Sequence, residues 1–345
     1  MKITEAVSIK KPLIGQTINE LAILIKESGM PSFSTRQITD WIYKKKIRTI
    51  DEMTNLSLNS RENLKNNHTI GLINYSDKKQ SDDGTCKYLF PVAGNKYVET
   101  VYIPDKKRAT VCISTQVGCK MNCLFCMTGK QKFSDQLSSC EMINQILSLP
   151  ERDKLTNYVF MGMGEPLDNE PELFKTLEIL TADYGLSLSP KRITVSTIGI
   201  LPELKQLLER TKCHIAISLH SPYHEERLSL MPVEKAYPAK KIIDLIKQYD
   251  FSHQRRISFE YIVFGGLNDD RRHAVDLARL LSGILCRVNL IKYHPIPDVN
   301  LPESNMEKMI LFRDYLSSQG IISTIRASRG EDIFAACGML STNKN

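Results

Sequence analysis

Hydrophobic positions follow two different periods along this chain, and the change between them separates a helical region from a mixed one. In about the first 70 residues the apolar positions recur at helical spacing, as they do over 17–27 and 35–43. From residue 86 onwards, short runs rich in Val, Ile, Tyr and Thr are separated by turn signals and predict β-strands over 86–92, 96–103 and 109–114.

After residue 130, strand patterns alternate with helix patterns. Two predicted helices start with capping boxes, Ser138-x-x-Glu141 and Ser304-x-x-Glu307, and Pro171 occupies the first position of a third helix. Repeated β–α units predict an α/β fold, in which a parallel sheet with helices outside forms a partial or full β/α barrel. The functional site of such a barrel lies at the carboxyl ends of its strands. The predicted strands are 158–161, 192–196, 214–218, 257–263, 288–291 and 323–326.

Composition and charge narrow the class of protein only slightly. No apolar run in the 345 residues reaches the ~20 that would span a bilayer, and residues 1–5 lack the apolar core of a signal peptide, so we expect a cytoplasmic protein without membrane contact. Residues 1–70 hold 11 Lys and Arg against 7 Asp and Glu, and the basic run 44–48 is either a solvated helix end or a patch that contacts phosphates. Nine cysteines favour metal or redox chemistry over structural disulfides in such a chain.

The most informative motif is a cysteine loop, in which Cys119, Cys123 and Cys126 have the spacing C-x3-C-x2-C. A closed four-iron cluster takes four cysteine ligands, but the next cysteine, Cys140, lies inside a predicted helix. Three ligands would leave one iron open to bind another molecule, as catalytic metal sites do. The alternative is a zinc site completed by a distant His or Cys, although zinc ligands usually come as two separated pairs.

Polar residues follow the carboxyl ends of three predicted strands and would therefore meet at one barrel mouth. The glycines after strand 158–161 allow a close backbone approach, and Glu165 could accept a hydrogen bond from an amino group, although a plain strand-to-helix turn would look the same. The shared position of these residues indicates a ligand site more strongly than any one of them. They are Gly164, Glu165, Ser196, Ser218, Leu219 and His220.

Two cysteines outside the loop stand out by their position. Cys112 lies in a predicted strand shortly before Cys119, and Cys337 lies near the C-terminus. From spacing alone each is interpreted as a buried, unreactive cysteine. The same interpretation applies to Cys86, Cys140, Cys213 and Cys286.

Taken together, these segments resemble the RlmN family of radical S-adenosylmethionine (SAM) RNA methyltransferases. Residues 1–75 are similar to the family's small helical, RNA-binding accessory domain, and 85–340 are similar to its radical SAM core. Within the core, 85–110 would form an antiparallel β extension, and 327–340 would carry a catalytic cysteine. The matching runs are 98–104, 112–119, 162–166, 217–220, 329–332 and 335–338.

The resemblance implies a role for each candidate site residue. Cys337 would carry a methyl group, Cys112 would be its partner in product release, and Glu99 would accept a proton. His294 would contact the cofactor through its imidazole, although many family members carry Asn at this position. A 4Fe–4S cluster would be ligated by Cys119, Cys123 and Cys126. SAM would be contacted by Gly164, Glu165, Ser196, Ser218, Leu219 and His220.

The resemblance also implies the reaction, which is methylation of carbon 2 of an adenosine. The substrates would be 23S rRNA, in its peptidyl transferase region, and the adenosine 3′ to the anticodon in some tRNAs. Because carbon 2 is not nucleophilic, the family uses two SAM molecules per turnover, one to methylate Cys337 and one to form a radical that activates this methyl group. A transient Cys112–Cys337 disulfide would remain for a reductant, and we expect a monomer served by a separate electron donor.

Three other functions stay open at this point. A Cfr-type enzyme methylates carbon 8 of the same rRNA adenine with the same machinery, but Val117 fits RlmN better than the Cys that we associate with Cfr. A radical enzyme that acts on a protein or small molecule would have no need of basic N-terminal helices. A non-enzymatic RNA-binding module with a structural metal would cleave no SAM.

Overall fold

The computed structural model describes residues 10–252 and 255–342. These residues form two compact units that interleave along the chain. Residues 1–9 lie outside the described residues. This range includes residues 1–5, in which we expect no signal peptide, and the start of the predicted accessory domain. The first unit holds the described residues up to Asn74 together with Leu137–Arg152 and Pro171–Ser189, and the second holds Tyr75–Gln136, Asp153–Glu170 and the described residues from Pro190 onwards.

Helices and strands alternate through most of the described chain. None of the described helices combines the length and apolar character that a membrane span requires. The helices are α1 (Ile18–Glu27), α2 (Ser34–Thr39), α3 (Leu58–Asn67), α4 (Met127–Lys130), α5 (Ser139–Leu147), α6 (Glu170–Thr181), α7 (Leu201–Arg210), α8 (His224–Leu230), α9 (Ala239–Ile246), α10 (Arg271–Leu281) and α11 (Met306–Ser318). The strands are β1 (Lys11–Pro12), β2 (His68–Thr69), β3 (Asp77–Gln80), β4 (Cys86–Val92), β5 (Lys96–Asp105), β6 (Arg108–Cys112), β7 (Gln116–Val117), β8 (Asp135–Gln136), β9 (Asn157–Phe160), β10 (Ile193–Thr197), β11 (His214–Ser218), β12 (Ile257–Val263), β13 (Cys286–Lys292) and β14 (Ile322–Ile325).

A ten-stranded sheet organises the second unit. Its strands β6 and β9 to β14 pair in parallel, and β3 to β6 pair antiparallel and extend the sheet from β6. The order β14-β13-β12-β11-β10-β9-β6-β5-β4-β3 leaves β14 and β3 as the two edges. This is the predicted α/β fold in its partial-barrel form. The antiparallel part begins with β3, which precedes residue 85, the predicted start of the β extension. The predicted domain boundaries stay predictions.

Burial explains why the central segments form parallel strands. All seven residues of β12 are buried, which is typical of a strand covered on both faces. In β10 fully buried residues alternate with partly exposed ones, as expected for a strand with one less covered face. Because β9 to β12 run in parallel, their carboxyl ends meet at the same edge of the sheet, where the sequence places the candidate ligand site.

The structure corrects two predicted helix starts. The N-cap of α11 is Asn305, whose Oδ1 accepts from the Lys308 amide at 2.8 Å. Ser304, which the capping-box pattern had favoured, donates its hydroxyl proton to Asp269 instead, also at 2.8 Å. Pro171 is the second residue of α6, which follows a 3₁₀ turn.

The helix predicted over 35–43 is irregular. It starts as α2 and continues as a π-helical turn over Asp40–Lys44. Within this turn Lys44 pairs with Asp40 at 3.0 Å, and the Lys45 ammonium lies 3.4 Å from the centroid of the Trp41 ring. Two members of the basic run therefore already have partners, although both side chains remain exposed to solvent.

Candidate active site

Most of the predicted site residues line one cavity of the second unit, at the carboxyl ends of β9 to β12. The three loop cysteines line it, and so does Cys337. Glu99, Cys112, Leu219 and His294 are not among the described residues that line it. The other predicted residues in the lining are Gly164, Glu165, Ser196, Ser218 and His220.

The cysteine loop connects β7 to the short helix α4, and two residues in the left-handed region turn it. Gly118 has φ +75° and Asn122 has φ +49°, values that Gly and Asn tolerate better than other residues. Cys126 is the N-cap residue of α4, and its amide donates to the Cys123 carbonyl at 3.2 Å. A methyl group on Gly118 would lie 2.3 Å from the carbonyl oxygen of Lys132, so the chain packs too closely here for a side chain.

The three loop thiols are shielded from water and lie close to one another. Burial raises the pKa of Cys119 to about 12 and the pKa of Cys123 well above its usual value, and the neighbouring thiolates add to both shifts. Burial also raises the pKa of Cys126. Such thiols give up their protons when a metal stabilises the thiolates, which are the ligand form.

The donors present suit an iron–sulfur cluster. Such clusters are held by Cys thiolates, and in a four-iron cluster each thiolate binds a different iron. Cys119, Cys123 and Cys126 come from one loop and line one cavity. The residues present therefore fit a 4Fe–4S cluster with one iron left open.

Glu165 joins the carboxyl end of β9 to that of β10. Its Oε1 accepts from Thr197 Oγ1 at 2.5 Å and from the Leu167 amide at 3.1 Å. Its Oε2 accepts from the Ile198 amide at 3.0 Å. Burial raises the pKa of Glu165 to about 7, while these hydrogen bonds lower it. A cationic amino group in the cavity would restore the charged form of this carboxylate.

His220 offers the cavity an uncharged imidazole with a defined tautomer. Its Nδ1 accepts from the Ile262 amide at 3.0 Å, so the proton of the neutral ring is on Nε2. Burial lowers the pKa of His220 to about 3. The residue has φ +60°, and Asn268 Nδ2 donates to its carbonyl at 2.7 Å, which holds this unfavourable conformation. The ring packs edge-on against Phe125 of the cysteine loop, with 4.7 Å between ring centroids.

Arg227 is a fully buried residue that the sequence did not single out. Its guanidinium donates to the carbonyls of Ile198 at 3.0 Å, Ser218 at 3.1 Å and Leu219 at 3.1 Å. The carboxylate of Glu234, whose side chain is 2% exposed, pairs with it. The pair therefore fastens the ends of β10 and β11, which carry the predicted SAM contacts. A charged residue on a short helix is expected to face solvent, so no sequence signal marked it.

The C-terminal segment brings Cys337 to the cavity because it is hydrogen-bonded to α4. The Met127 amide donates to the Gly338 carbonyl at 2.7 Å, and Thr128 Oγ1 donates to the Leu340 carbonyl at 2.6 Å. Cys337 itself is exposed. A cysteine at the chain end thus lies beside the loop that carries the three predicted cluster ligands.

Cys112 and Cys337 lie near each other and near the guanidinium of Arg326. Both are free thiols, and Cys112 is buried at the end of β6. Burial, with a contribution from Cys337, raises the pKa of Cys112 to about 12. Cys337 and Glu260 raise the pKa of Arg326, which donates to Glu260 Oε2 at 3.1 Å. The Arg326 guanidinium partly offsets the rise in the pKa of Cys112, a role that the sequence did not indicate.

The two remaining candidates contact the C-terminal segment. Glu99, on β5, accepts from Lys87 Nζ at 2.9 Å and from the Ser341 amide at 3.0 Å, and burial raises its pKa. His294 Nε2 lies 2.8 Å from Ser328 Oγ, and burial lowers the pKa of this imidazole. The predicted contact between His294 and a cofactor stays a prediction.

Comparison with known families identifies the class of enzyme to which this fold and cavity belong. The family model described as "Radical SAM superfamily" matches residues 113–278, which include the cysteine loop and most of the cavity lining. A second model, "Ribosomal RNA large subunit methyltransferase N-terminal domain", matches residues 12–70. The protein is therefore a radical SAM enzyme, and such enzymes use a 4Fe–4S cluster and SAM.

Individual relatives narrow the family further. "Probable dual-specificity RNA methyltransferase RlmN" of Parabacteroides distasonis is 61% identical over 336 residues, covering 97% of this chain and 98% of the relative. "Dual-specificity RNA methyltransferase RlmN" of Syntrophus aciditrophicus is 40% identical over 329 residues, covering 94% of each. The crystal structure of a radical SAM methyltransferase from Sphaerobacter thermophilus has a TM-score of 0.90 at 37% identity and covers 96% of this chain and 99% of that one. The chain belongs to the RlmN family of RNA methyltransferases.

Replacing Gly118 by Ala should disrupt the cysteine loop, because the added methyl group would overlap the Lys132 carbonyl and φ +75° disfavours Ala. We expect reconstituted iron per protein to fall and the free energy of unfolding in urea to drop by more than about 1 kcal/mol. Gly94→Ala is the matched control, since Gly94 has φ +72° but a methyl group there would meet only the Lys96 side chain, at 3.5 Å. Equal losses in both variants would contradict the steric argument.

Replacing Arg227 by Met should remove the guanidinium partner of the buried Glu234 carboxylate and leave it only the Ala239 amide, at 2.9 Å, and the His224 ring, at 2.8 Å. Breaking a buried ion pair from one side costs about 3–5 kcal/mol, so the free energy of unfolding in urea should fall by that amount. Arg279→Met is the control, because the Arg279 side chain is 76% exposed in its pair with Asp276 and should contribute less than about 1 kcal/mol. If the two variants lose the same stability, the buried pair does not hold the strand ends.

Proposed function

We propose that this protein methylates carbon 2 of an adenosine in 23S rRNA and of the adenosine 3′ to the anticodon in some tRNAs, with Cys337 as the methyl carrier. The observation that carries the proposal is the approach of Cys112 and Cys337 beside Arg326, next to the cysteine loop. A methyl-carrying cysteine gives a use to a second pair of thiols, in which Cys337 lines the cavity and Cys112 lies buried near it.

The cavity supplies the residues that hold the cofactors. Cys119, Cys123 and Cys126 would ligate the 4Fe–4S cluster and leave one iron for SAM. When bound, the cluster supplies an electron for cleavage of SAM, and SAM supplies both the methyl group and the radical that abstracts hydrogen. Glu165 would accept from the amino group of SAM, and the Nε2–H of His220 would donate to an acceptor in the cavity. Gly164, Ser196, Ser218 and Leu219 would complete the cofactor contacts, and His294 stays a candidate.

Cys337 is suited to receive a methyl group. Cys337 is exposed and lines the cavity, so its sulfur is accessible to a methyl donor bound there. Attack of this sulfur on the SAM methyl carbon forms a thioether and releases S-adenosylhomocysteine. A second SAM molecule is then needed to activate the methyl group, so each turnover consumes two.

Cys112 is suited to release the product. Attack of its thiolate on the Cys337 sulfur would form a sulfur–sulfur bond and break the bond between that sulfur and the methylene carbon on the base. The electron pair of the broken bond would take up a proton to complete the methyl group, and the unpaired electron left by the radical addition would return to the cluster. The ring proton leaves to a base, for which Glu99 and Cys112 are the candidates. Because the resting Cys112 is buried, its thiolate would form only when Arg326 or the bound base changes its surroundings. An external reductant then opens the disulfide.

The substrate and partners follow from the family and from charge. An adenine reaches a recessed cavity most easily from single-stranded RNA, where unstacking costs least. The first unit offers Lys44, Lys45 and Arg48 as exposed cations for phosphates. The protein would act as a monomer with a separate electron donor. The relatives reported above carry the RlmN name, which favours carbon 2 over the Cfr-type carbon 8, and no observation supports a radical enzyme for other substrates or a non-enzymatic module.

Replacing Cys123 by Ala should remove the cluster, because two thiolates hold iron poorly. We expect the reconstituted variant to lose its iron, its visible absorption and SAM cleavage under reducing conditions. Cys286→Ala is the matched control, since Cys286 is a buried cysteine on β13 outside the cavity lining and should retain all three. RNA methylation by a variant lacking all three loop cysteines would end the radical SAM interpretation of this site.

Replacing Cys112 by Ala should separate methyl transfer from release. This variant should still load Cys337 and add to adenine, and then stall with the RNA attached through Cys337. Cys337→Ala should form neither methylated RNA nor an adduct. Denaturing gels with substrate RNA, run with and without SAM, measure the difference as a SAM-dependent shifted band. Two inert cysteines would instead give equivalent, mild losses of about 1 kcal/mol in stability with turnover retained.

A further inference from the structure

The carboxylate of Glu99 holds the chain on both sides of Cys337. On the C-terminal side, its Oε2 accepts from the Ser341 amide at 3.0 Å. On the N-terminal side, its Oε1 pairs with Lys87 Nζ at 2.9 Å, and the same ammonium donates to the Phe334 carbonyl at 3.0 Å. Lys87 thus connects Phe334, on the N-terminal side of the cysteine, to the same carboxylate that binds Ser341 on the C-terminal side.

Lys87 lies in the interior, where lysine side chains are rare unless they have a partner. Its side chain is 10% exposed, and that of Glu99 is 9% exposed. The two residues are diagonal neighbours on the paired strands β4 and β5, since Lys87 faces Val101 and Leu89 faces Glu99 in the register. A buried ion pair of this kind contributes little net stability compared with apolar residues, so its value lies in where it fixes its partners.

The residue that Lys87 holds is strained. Phe334 has φ +54°, a region that disfavours residues with a β-carbon, and its side chain is exposed. Burial of the ring does not explain this conformation, which two backbone hydrogen bonds of the turn and the Lys87 contact with the Phe334 carbonyl hold. Non-glycine residues stay in the left-handed region only where surrounding contacts hold them. The Phe334 turn leads directly into Cys337, so its geometry determines where the thiol lies.

Other anchors of the segment lie farther from the cysteine. Ser81 Oγ donates to Asp332 Oδ1 at 2.6 Å, and the Gly330 amide donates to Asp83 Oδ2 at 3.0 Å. These contacts attach the start of the segment to the turn between β3 and β4. Within the segment, the Phe334 amide donates to the Glu331 carbonyl at 3.0 Å and the Ala335 amide donates to the Gly330 carbonyl at 2.8 Å. Among the side-chain contacts of the described residues, that of Lys87 with the Phe334 carbonyl ties this turn to β4.

We propose that Lys87 is a positioning residue, which sets the place of the Cys337 thiol by fastening the strained Phe334 turn to Glu99. The proposal rests on the proposed function in so far as Cys337 carries the methyl group. Lys87 is not among the described residues that line the cavity, and in this proposal it acts only through the segment. Its removal should therefore loosen residues 335–342 and leave the cluster and its chemistry in place.

Hydrogen–deuterium exchange of the cluster-loaded enzyme tests this directly. In Lys87→Met, exchange of the 335–342 amides should rise about tenfold, because a hydrogen bond to a charged group contributes on the order of the 1.4 kcal/mol that a tenfold change represents. Lys87→Arg keeps a donor for both oxygen partners and should restore protection. The control is Lys78→Met, which removes an exposed lysine from neighbouring β3 and should change nothing.

Activity adds a second readout. Lys87→Met should lower kcat for RNA methylation while RNA-free SAM cleavage persists, and Lys87→Arg should recover kcat. Unchanged exchange of 335–342 in Lys87→Met would overturn the proposal, even if methylation fell. If the wild-type enzyme methylates no RNA but the exchange difference is present, the proposed function fails and the role of Lys87 stands.

A second variant covers the case in which Lys87→Met does not fold. Phe334→Asn places a residue that tolerates the left-handed region at the strained position. In this background Lys87→Gln should raise exchange less than it does alone, because less strain remains to be held. Equal effects of Lys87→Gln in both backgrounds would also overturn the proposal.

Discussion

The hydrogen bond from the Met127 amide to the Gly338 carbonyl is the contact on which the chemistry of this site depends. The parallel sheet alone brings together the cysteine loop and the polar strand ends, which suffices for a generic radical SAM enzyme. Only the docking of the chain end on α4 adds Cys337 to that cavity. Thr128 strengthens the same junction through its hydroxyl, so the helix that starts at Cys126 serves both the cluster loop and the C-terminal segment.

Around this junction, cations are paired with carboxylates in places where water has limited access. Two of the cations also hold backbone carbonyls, Arg227 those at the ends of two strands and Lys87 that of Phe334. Since a cation removed from water is costly without an anion, the pairs allow these cations to lie inside the protein. The pairs are Lys87–Glu99, Arg227–Glu234 and Arg326–Glu260.

Some of these features can be predicted from the sequence and others cannot, for physical reasons. The predicted limits of β11 and β12 are confirmed, because the spacing of apolar residues and the length of the apolar run determine where such strands begin and end. The predicted start of α11 was wrong because Ser304 and Asn305 are adjacent and both have side chains that can cap a helix. Lys87 and Arg227 escaped notice because charged residues are expected in solvent, and only tertiary pairing makes their burial possible. The roles of the two outlying cysteines came from family resemblance, whereas their spacing alone suggested inert residues.

The carboxylate of Glu99 makes the backbone near Cys337 sensitive to one proton. Each carboxylate oxygen accepts one hydrogen bond, from Lys87 Nζ or from the Ser341 amide, and keeps a lone pair that can bind a proton. A neutral carboxyl group attracts the Lys87 ammonium far less than a carboxylate does. Protonation of Glu99, by the adenine ring or by any other acid, would therefore weaken the contact that holds the Phe334 carbonyl beside the cysteine.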